Sequence, residues 1–263
     1  MSLLPPGFSS SGQVALDRRY RWAQASLEAG EAAEACDILR QTVEAAPNWA
    51  PAWKLFADAL LHAGDPHAAR GAYEQVVRLD PAGALGAKLD LARLGALAPE
   101  DAMQPGYVAA LFDDYADRFD AHLTRVLSYR GPEAILEALR LVRAAQGMAL
   151  RFPSALDLGC GTGLMGEAIR PFVDRLHGVD LSPGMVAKAR AKLIYEGLAV
   201  GDLLGFLHAE PANDADLVLA ADVLVYIGDL APVFGAVAKS LRRNGLFAFT
   251  LQSTDAGPVD AGF

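Results

Sequence analysis

Ser154-Ala-Leu-Asp157-Leu-Gly159-Cys-Gly161-Thr-Gly163-Leu-Met-Gly166 is the stretch from which the rest of the chain can be read. Ser154 to Leu158 has the make-up of a short buried strand, the glycines that of a turn, and Leu164 onward that of a helix. Glycine permits positive φ and carries no side chain, so a ligand can rest against the backbone of such a turn and the first amides of the helix. Fourteen residues beyond Gly166, Leu176-His-Gly-Val-Asp180 reads as a second strand ending in a carboxylate. An acid at that place can accept both hydroxyls of a ribose.

A lone Gly-x-Gly-x-x-Gly is a weak signal. Gly161, Gly163 and Gly166 satisfy the dinucleotide version, with Asp180 about 20 residues on, as that motif requires. Asp157 separates the two cofactor classes. A negative charge two residues before the first glycine is awkward under a pyrophosphate, yet useful beside the ammonium and sulfonium of S-adenosylmethionine. Later segments point the same way. Val200-Gly-Asp202-Leu203 closes a third strand with an acid able to accept a bond from the amino group of adenine. Asp216-Leu-Val-Leu-Ala-Ala-Asp222-Val-Leu-Val-Tyr226 reads as a fourth strand delivering Asp222 to the carboxyl edge of the sheet, where open α/β folds bind ligands. Leu241 to Leu251 reads as a helix end, a turn at Asn244-Gly245 and a fifth strand.

Toward the front, Gly131-Pro132 opens a helix expected to run to Gln146, with Ile135, Leu136, Leu139 and Val142 on its buried side. Before it, Phe112, Tyr115, Phe119 and Leu123 form one apolar stripe with acidic residues opposite. Punctuation at Gly95 to Pro99 and Gln104-Pro105-Gly106 places a domain boundary near 95–106. Further forward the chain repeats itself at an offset of 34 residues: Gly30 meets Gly64, Ala35 meets Ala69, Leu39 meets Tyr73, and Pro47 meets Pro81. The glycines turn the chain between antiparallel helices, the alanines are small where helices cross, and the prolines stop the second helices. Trp53, Phe56 and Leu60 share one face, and Trp22, Trp49 and Trp53 are expected in the core. The segment 14–97 resembles the tetratricopeptide family, with two repeats and a capping helix at Ala84–Leu94. Such arrays bind partners on a concave face, so a protein partner is expected there.

Leu156-Asp-Leu-Gly-Cys-Gly-Thr-Gly163, Val179-Asp-Leu-Ser-Pro-Gly-Met185 and Asn244-Gly245-Leu246 together resemble the class I S-adenosylmethionine-dependent methyltransferases over about 152–251. With the Phe112–Leu123 segment and the repeats, the chain is similar to a bacterial group of predicted repeat-containing methyltransferases. The implied fold is α plus α/β: tetratricopeptide-like helices at 14–97, a linker and leading helices at 98–151, and a Rossmann-like domain at 152–263. The resemblance implies that Gly159, Gly161 and Gly163 pass beneath the methionine part of the cofactor while Asp157 holds its amino group. It implies that Asp180 takes the ribose, Met185 packs on the adenosine, and Asp202 reads the adenine amino group. Asp222 with Leu224 would border the methyl group and acceptor, Tyr115 would close the site, and Leu181 and Leu203 complete the cofactor set. Taken singly, Asp202 or Asp222 is more often a strand-end cap or turn residue, and it is their spacing within the motif that favours the functional reading. The family sheet has seven strands, so this domain is expected to lack the last two, leaving Leu246, Phe247, Phe249 and Leu251 on an uncovered edge that invites a homodimer.

The implied activity is methyl transfer by in-line displacement to a small-molecule or protein acceptor, for which alignment and exclusion of water suffice. Among the five histidines His122 is the candidate base, because His62 and His67 fall in the repeats and His177 within a strand. The alternatives are an NAD(P)-dependent oxidoreductase and a catalytically inactive repeat scaffold. A net charge of −9 without a basic stripe argues against nucleic-acid binding. Cys36 and Cys160 lack metal or redox spacing, so Cys160 reads as a small loop filler, no metal is expected, and a reducing cytoplasm fits. No apolar run reaches membrane-spanning length, and Met1–Gln13 lacks the basic start of a secretory signal.

Overall fold

The computed structural model describes residues 10–98, 102–116, 119–120 and 130–251, and the chain divides into two compact units, 1–110 and 111–263. The first holds α1 (Val14–Glu28), α2 (Ala32–Ala45), α3 (Ala50–His62), α4 (Pro66–Leu79) and α5 (Ala87–Arg93); the division falls inside α6 (Pro105–Tyr115). Each of the first four helices packs on the next. The 34-residue correspondence has a geometric counterpart. Gly30 and Gly64 both have φ of 84°, and their amides bond to Leu27 O and Leu61 O at 3.0 and 3.1 Å. The following amides of Glu31 and Asp65 each bond to Ser26 O and Leu60 O at 2.9 Å, so one helix cap is built twice. Ala35, Ala69, Leu39 and Tyr73 are fully buried between the hairpins. Lys54 of α3 sits between Asp58 at 2.7 Å and Asp90 of α5 at 3.2 Å, and the Tyr73 hydroxyl donates to Asp58 at 2.7 Å, tying three helices together.

Three expectations for this unit need correction. Trp22 is 60% exposed, because the buried stripe of α1 runs through Leu16, Ala23 and Ser26, and Trp22 lies about 100° around the helix from Ala23. Trp49 is buried, while Trp53 and Phe56 are half-buried; the innermost residues of α3 are Ala52, Ala57 and Ala59. The helix expected from Ala84 begins at Ala87, because the buried Asp80 carboxylate accepts the amides of Gly83 and Leu85 and holds the chain in a turn.

The second unit contains α7 (Gly131–Ala145), β1 (Phe152–Leu158), α8 (Leu164–Ile169), β2 (Val173–Asp180), α9 (Pro183–Ala191), β3 (Gly197–Val200), α10 (Leu203–Ala209), β4 (Ala215–Ala220), α11 (Ala231–Ser240) and β5 (Leu241–Phe249). The five strands form one parallel sheet in the order β3-β2-β1-β4-β5. A parallel sheet needs both faces covered, and only Pro153 of β1 is exposed. Side chains alternate between two cores: Leu156, Leu158, Val218 and Ala220 face Leu207, Val233 and Val237 of α10 and α11, whereas Ala155, Leu217 and Leu219 face Ile135, Leu139, Met165 and Ile169 of α7 and α8. The chain runs outward from β1 to β3 and then returns to the other side of β1. The strand order therefore reverses between β1 and β4, the place where such sheets form a crevice at their carboxyl ends.

The buried face of α7 differs from expectation. Val142 is 40% exposed and Arg143 is buried in its stead, its guanidinium 4.4 Å from the Phe152 ring centre. Cation–π attraction and the long aliphatic stem make that exchange tolerable. β5 also starts earlier than the expected helix end and turn. Arg242 reaches Asp214 at 2.8 Å and Asp216 at 3.3 Å, which holds the chain extended from Leu241, and an irregularity between the pairs Ala215↔Leu241 and Leu217↔Leu246 absorbs Asn244 at φ 66°. Leu246 and Phe247 are half-buried; Phe247 and Phe249 both pack on Phe234 of α11 at 5.6 Å. Among the described residues no helix is long and apolar enough to cross a membrane, and no group of three metal-binding side chains occurs.

Candidate functional site

The site is assembled where β1 ends. Gly159, Gly161 and Gly163 have φ of 64°, 52° and 92°, so the chain from β1 into α8 passes through the left-handed region three times in five residues. The glycines serve different ends. A Cβ at Gly159 would lie 2.4 Å from Val223, in the segment following β4, and one at Gly166 would lie 2.1 Å from the Tyr195 hydroxyl. At Gly161 a Cβ would meet only the Phe119 ring at 3.9 Å. The turn is therefore clamped by protein at Gly159 and Gly166 and is least crowded at Gly161.

Below the turn lie two carboxylates, Asp157 buried and Asp180 half-buried. Asp157, 1% exposed, accepts a 2.6 Å bond from the Tyr195 hydroxyl through Oδ2, while its Oδ1 has no hydrogen-bond partner among the described residues. Burial pushes its carboxyl up to about 7, and the charge of Asp180 adds to the rise while the Tyr195 bond opposes it. Asp180, at the end of β2, accepts the Gly161 amide through Oδ2 and the Ser182 amide through Oδ1, both at 2.9 Å. Burial raises its carboxyl too, against the pull of those amides. Asp180 therefore ties the turn to the start of α9, and each oxygen keeps a further lone pair for a ligand hydroxyl. Asp113 of α6 accepts the Ser182 hydroxyl and the Gly184 amide, each at 2.6 Å, and Ser182 caps α9 by accepting the Met185 amide. Burial raises the Cys160 thiol strongly, so it stays protonated, as fits a filler of the turn.

The remaining expected residues fall into two groups. Asp202 is exposed and caps α10 by accepting the Gly205 amide at 2.8 Å. Asp222 is exposed at φ 54°, bonded to Thr250 through both its amide and its carboxylate. These two and the half-buried Leu181 and Tyr115 offer surface, whereas Met185 at 1%, Leu203 at 8% and Leu224 at 1% are packed in the core. Tyr115 stands edge-on to Phe119 at 5.5 Å, Phe119 contacts Phe112 at 6.0 Å, and Phe112 meets Tyr226 at 5.4 Å. This aromatic chain links the leading helix to the segment after β4, and a Thr162–Asp120 bond with an Asp120–Lys192 pair at 3.4 Å anchors it beside the turn. His122 lies outside the described residues.

Tyr195, Asp113 and Thr162 went unread in the sequence. Asp113 had a faint signal as one of the acids opposite the apolar stripe; Tyr195, in the connection between α9 and β3, had none. The packing at Gly166 gives a direct check. Gly166→Ala should lower stability by about 1–2 kcal/mol, the cost of overpacking less the gain in helix propensity. Gly235→Ala in α11, where a Cβ meets nothing within 4 Å, should be neutral or stabilising by up to ~1 kcal/mol. Urea unfolding of the two variants distinguishes these outcomes.

Residues 156–247 match the family model described as a methyltransferase domain. The ubiquinone biosynthesis O-methyltransferase of Xanthomonas axonopodis pv. citri is 32% identical over 147 residues, covering 53% of this chain and 62% of that protein. Its namesake in Xanthomonas oryzae pv. oryzae is 30% identical over 151 residues with the same coverage. The chain thus spans 62% of the length of these curated relatives. The solved DhpI–SAM–HEP complex is 23% identical over 53% of this chain and 62% of that one, with a TM-score of 0.43. The family match takes in the glycine turn, Asp157, Asp180, Tyr195, Asp202 and Asp222, and stops short of the helical unit and α7; this part of the second unit is similar in sequence to methyltransferase domains.

Proposed function

We propose that the chain is an S-adenosylmethionine-dependent methyltransferase that receives the amino-acid end of the cofactor over Gly159–Gly163, its ribose at Asp180 and its adenine toward Asp202. The observation that carries this reading is the charge beneath the turn. Asp157 is buried there and Asp180 half-buried, and their hydrogen-bond donors are a phenol and backbone amides, with no cation among them. Two carboxylates at such a place repel a pyrophosphate and attract an ammonium and a sulfonium, which sets the NAD(P) reading second. When bound, the cofactor supplies a methyl group activated by its sulfonium. The residues then have separate tasks: Asp180 orients the ribose, Asp157 supplies negative charge, and Phe112, Tyr115, Phe119 and Tyr226 exclude water beside the turn.

The names of the relatives support an oxygen acceptor. The cap built twice at a 34-residue interval supports assigning the first unit to a tetratricopeptide-like module that binds a protein, in a cytoplasmic enzyme. Phe249 and Leu251, 37% and 58% exposed, support a homodimer through β5, and His122 stays the proposed base. Calorimetry on the full chain tests the core of the proposal. S-Adenosylmethionine and its demethylated product should bind with micromolar affinity and NAD and NADP should not; preference for a nicotinamide dinucleotide would make the oxidoreductase reading the better one.

A further inference from the structure

The Tyr195 ring occupies a slot formed by three glycines from different elements. A Cβ would approach it to 3.3 Å at Gly163 in the turn, 2.5 Å at Gly166 in α8 and 3.0 Å at Gly178 in β2. Two of these glycines belong to the fingerprint that sequence reading attributes to ligand contact, yet the side chain they make room for is the protein's own. The slot aims the hydroxyl at Asp157 Oδ2, 2.6 Å away, and the backbone of Asp157 is fixed by its pairing with Gly178 of β2 and Leu219 of β4. Of the ionisable groups around Asp157, Tyr195 and Asp180 act on it, the Cys160 thiol beside it is itself raised by the Asp157 charge, and Glu167 of α8 faces Tyr195 and is paired with Lys192 at 2.7 Å. No described cation compensates the carboxylate, and its second oxygen has no hydrogen-bond partner among the described residues.

We propose that Tyr195 is a positioning residue for cofactor capture: its hydroxyl fixes one oxygen of Asp157 and keeps that carboxylate charged and aligned beneath the turn that receives the ammonium group of the cofactor. This rests on the cofactor assignment above. Burial and the neighbouring acids raise the Tyr195 hydroxyl far above its ordinary range, so it remains a donor at every physiological pH. A carboxyl already pushed up to about 7 depends on that donor for its ionised fraction. Removing the bond and raising the midpoint by about one unit would leave roughly one fifth as much carboxylate at pH 7, and almost the same amount at pH 9.

Tyr195→Phe keeps the ring in its slot and removes only the donor. Calorimetry of parent and variant with S-adenosylmethionine should give affinity about fivefold weaker for the variant at pH 7, with the ratio approaching one by pH 9. The α-amino group of the ligand titrates near pH 8, but the parent-to-variant ratio cancels that contribution. Adenosine, which has no ammonium group, should bind both proteins equally at either pH. A ratio of one at pH 7, or an equal loss for adenosine, overturns the role of Tyr195. If Tyr195→Phe does not fold, Asp157→Asn decides: it retains an acceptor for Tyr195 and should bind S-adenosylmethionine increasingly worse than the parent between pH 6 and 8, and parity at pH 8 overturns the proposal. A parent that binds no S-adenosylmethionine at any pH overturns the cofactor assignment itself, an outcome distinct from the others.

Discussion

Asp180→Ala is expected to weaken binding of S-adenosylmethionine and of its demethylated product alike by roughly a hundredfold. The carboxylate has two tasks that fail together. It holds the Gly161 amide through one oxygen and the Ser182 amide through the other, so its loss releases the turn from β2 as well as the acceptors proposed for the ribose. Hydrogen bonds to a charged group contribute ~1.5–3 kcal/mol each, and a loss of about 3 kcal/mol in binding corresponds to about two decades of affinity. The two ligands should suffer equally, because they share the ribose and differ at the sulfur. Asp180→Asn, which keeps one acceptor oxygen, should fall between parent and alanine. Calorimetry at fixed pH and a thermal melt of each variant separate lost affinity from lost folding, and a folded Asp180→Ala protein that binds as the parent does would remove Asp180 from the site.

The second large effect is on stability and runs opposite to the usual consequence of losing a buried hydrogen-bonded group. Asp157 has an ordinary carboxyl in the unfolded chain, near 3.8, and one pushed up to about 7 in the folded protein. Between those values the folded state retains a proton that the unfolded state has released, so stability falls as pH rises from about 4 to about 7 and stays at the lower level above that. Three units correspond to about 4 kcal/mol, a sizeable share of the ~5–15 kcal/mol that keeps a domain folded. Asp157→Asn abolishes this charge. Its amide N–H groups enter a place without a described acceptor, which costs about 1–3 kcal/mol at any pH, so a net gain of about 2 kcal/mol is expected at pH 8 and a net loss of about 2 kcal/mol at pH 4, where the parent carboxyl is protonated. Denaturant midpoints at the two pH values measure the difference; a variant less stable than the parent at pH 8 would show that the charge of Asp157 is compensated. The same substitution should impair cofactor binding, so stability and function are set against each other at one carboxyl.

Much of the second unit was legible because its signals are local. The apolar runs at β1 and β4 are long enough for strands buried on both faces, the glycines mark a turn that other residues cannot follow, and Asp180 follows its strand directly. The 34-residue spacing of Gly30 and Gly64 was legible for the same reason, since a helix cap is a matter of a few consecutive dihedral angles. The tertiary structure decided which of these residues touch one another. Val142 and Arg143 adjoin on α7, and only the place of Phe152 determined that the arginine turns inward. Asp202 and Asp180 both end parallel strands, but one caps its own helix while the other holds a turn from a different strand. Tyr195 gave no sign at all, because its slot exists only once the turn, α8 and β2 lie side by side and leave three missing Cβ atoms around one ring. Periodicity and backbone preference act between neighbours in the chain and can be read along it. The placement of a buried hydroxyl on a buried carboxylate depends on the desolvation of both, which is established only when distant segments close over them.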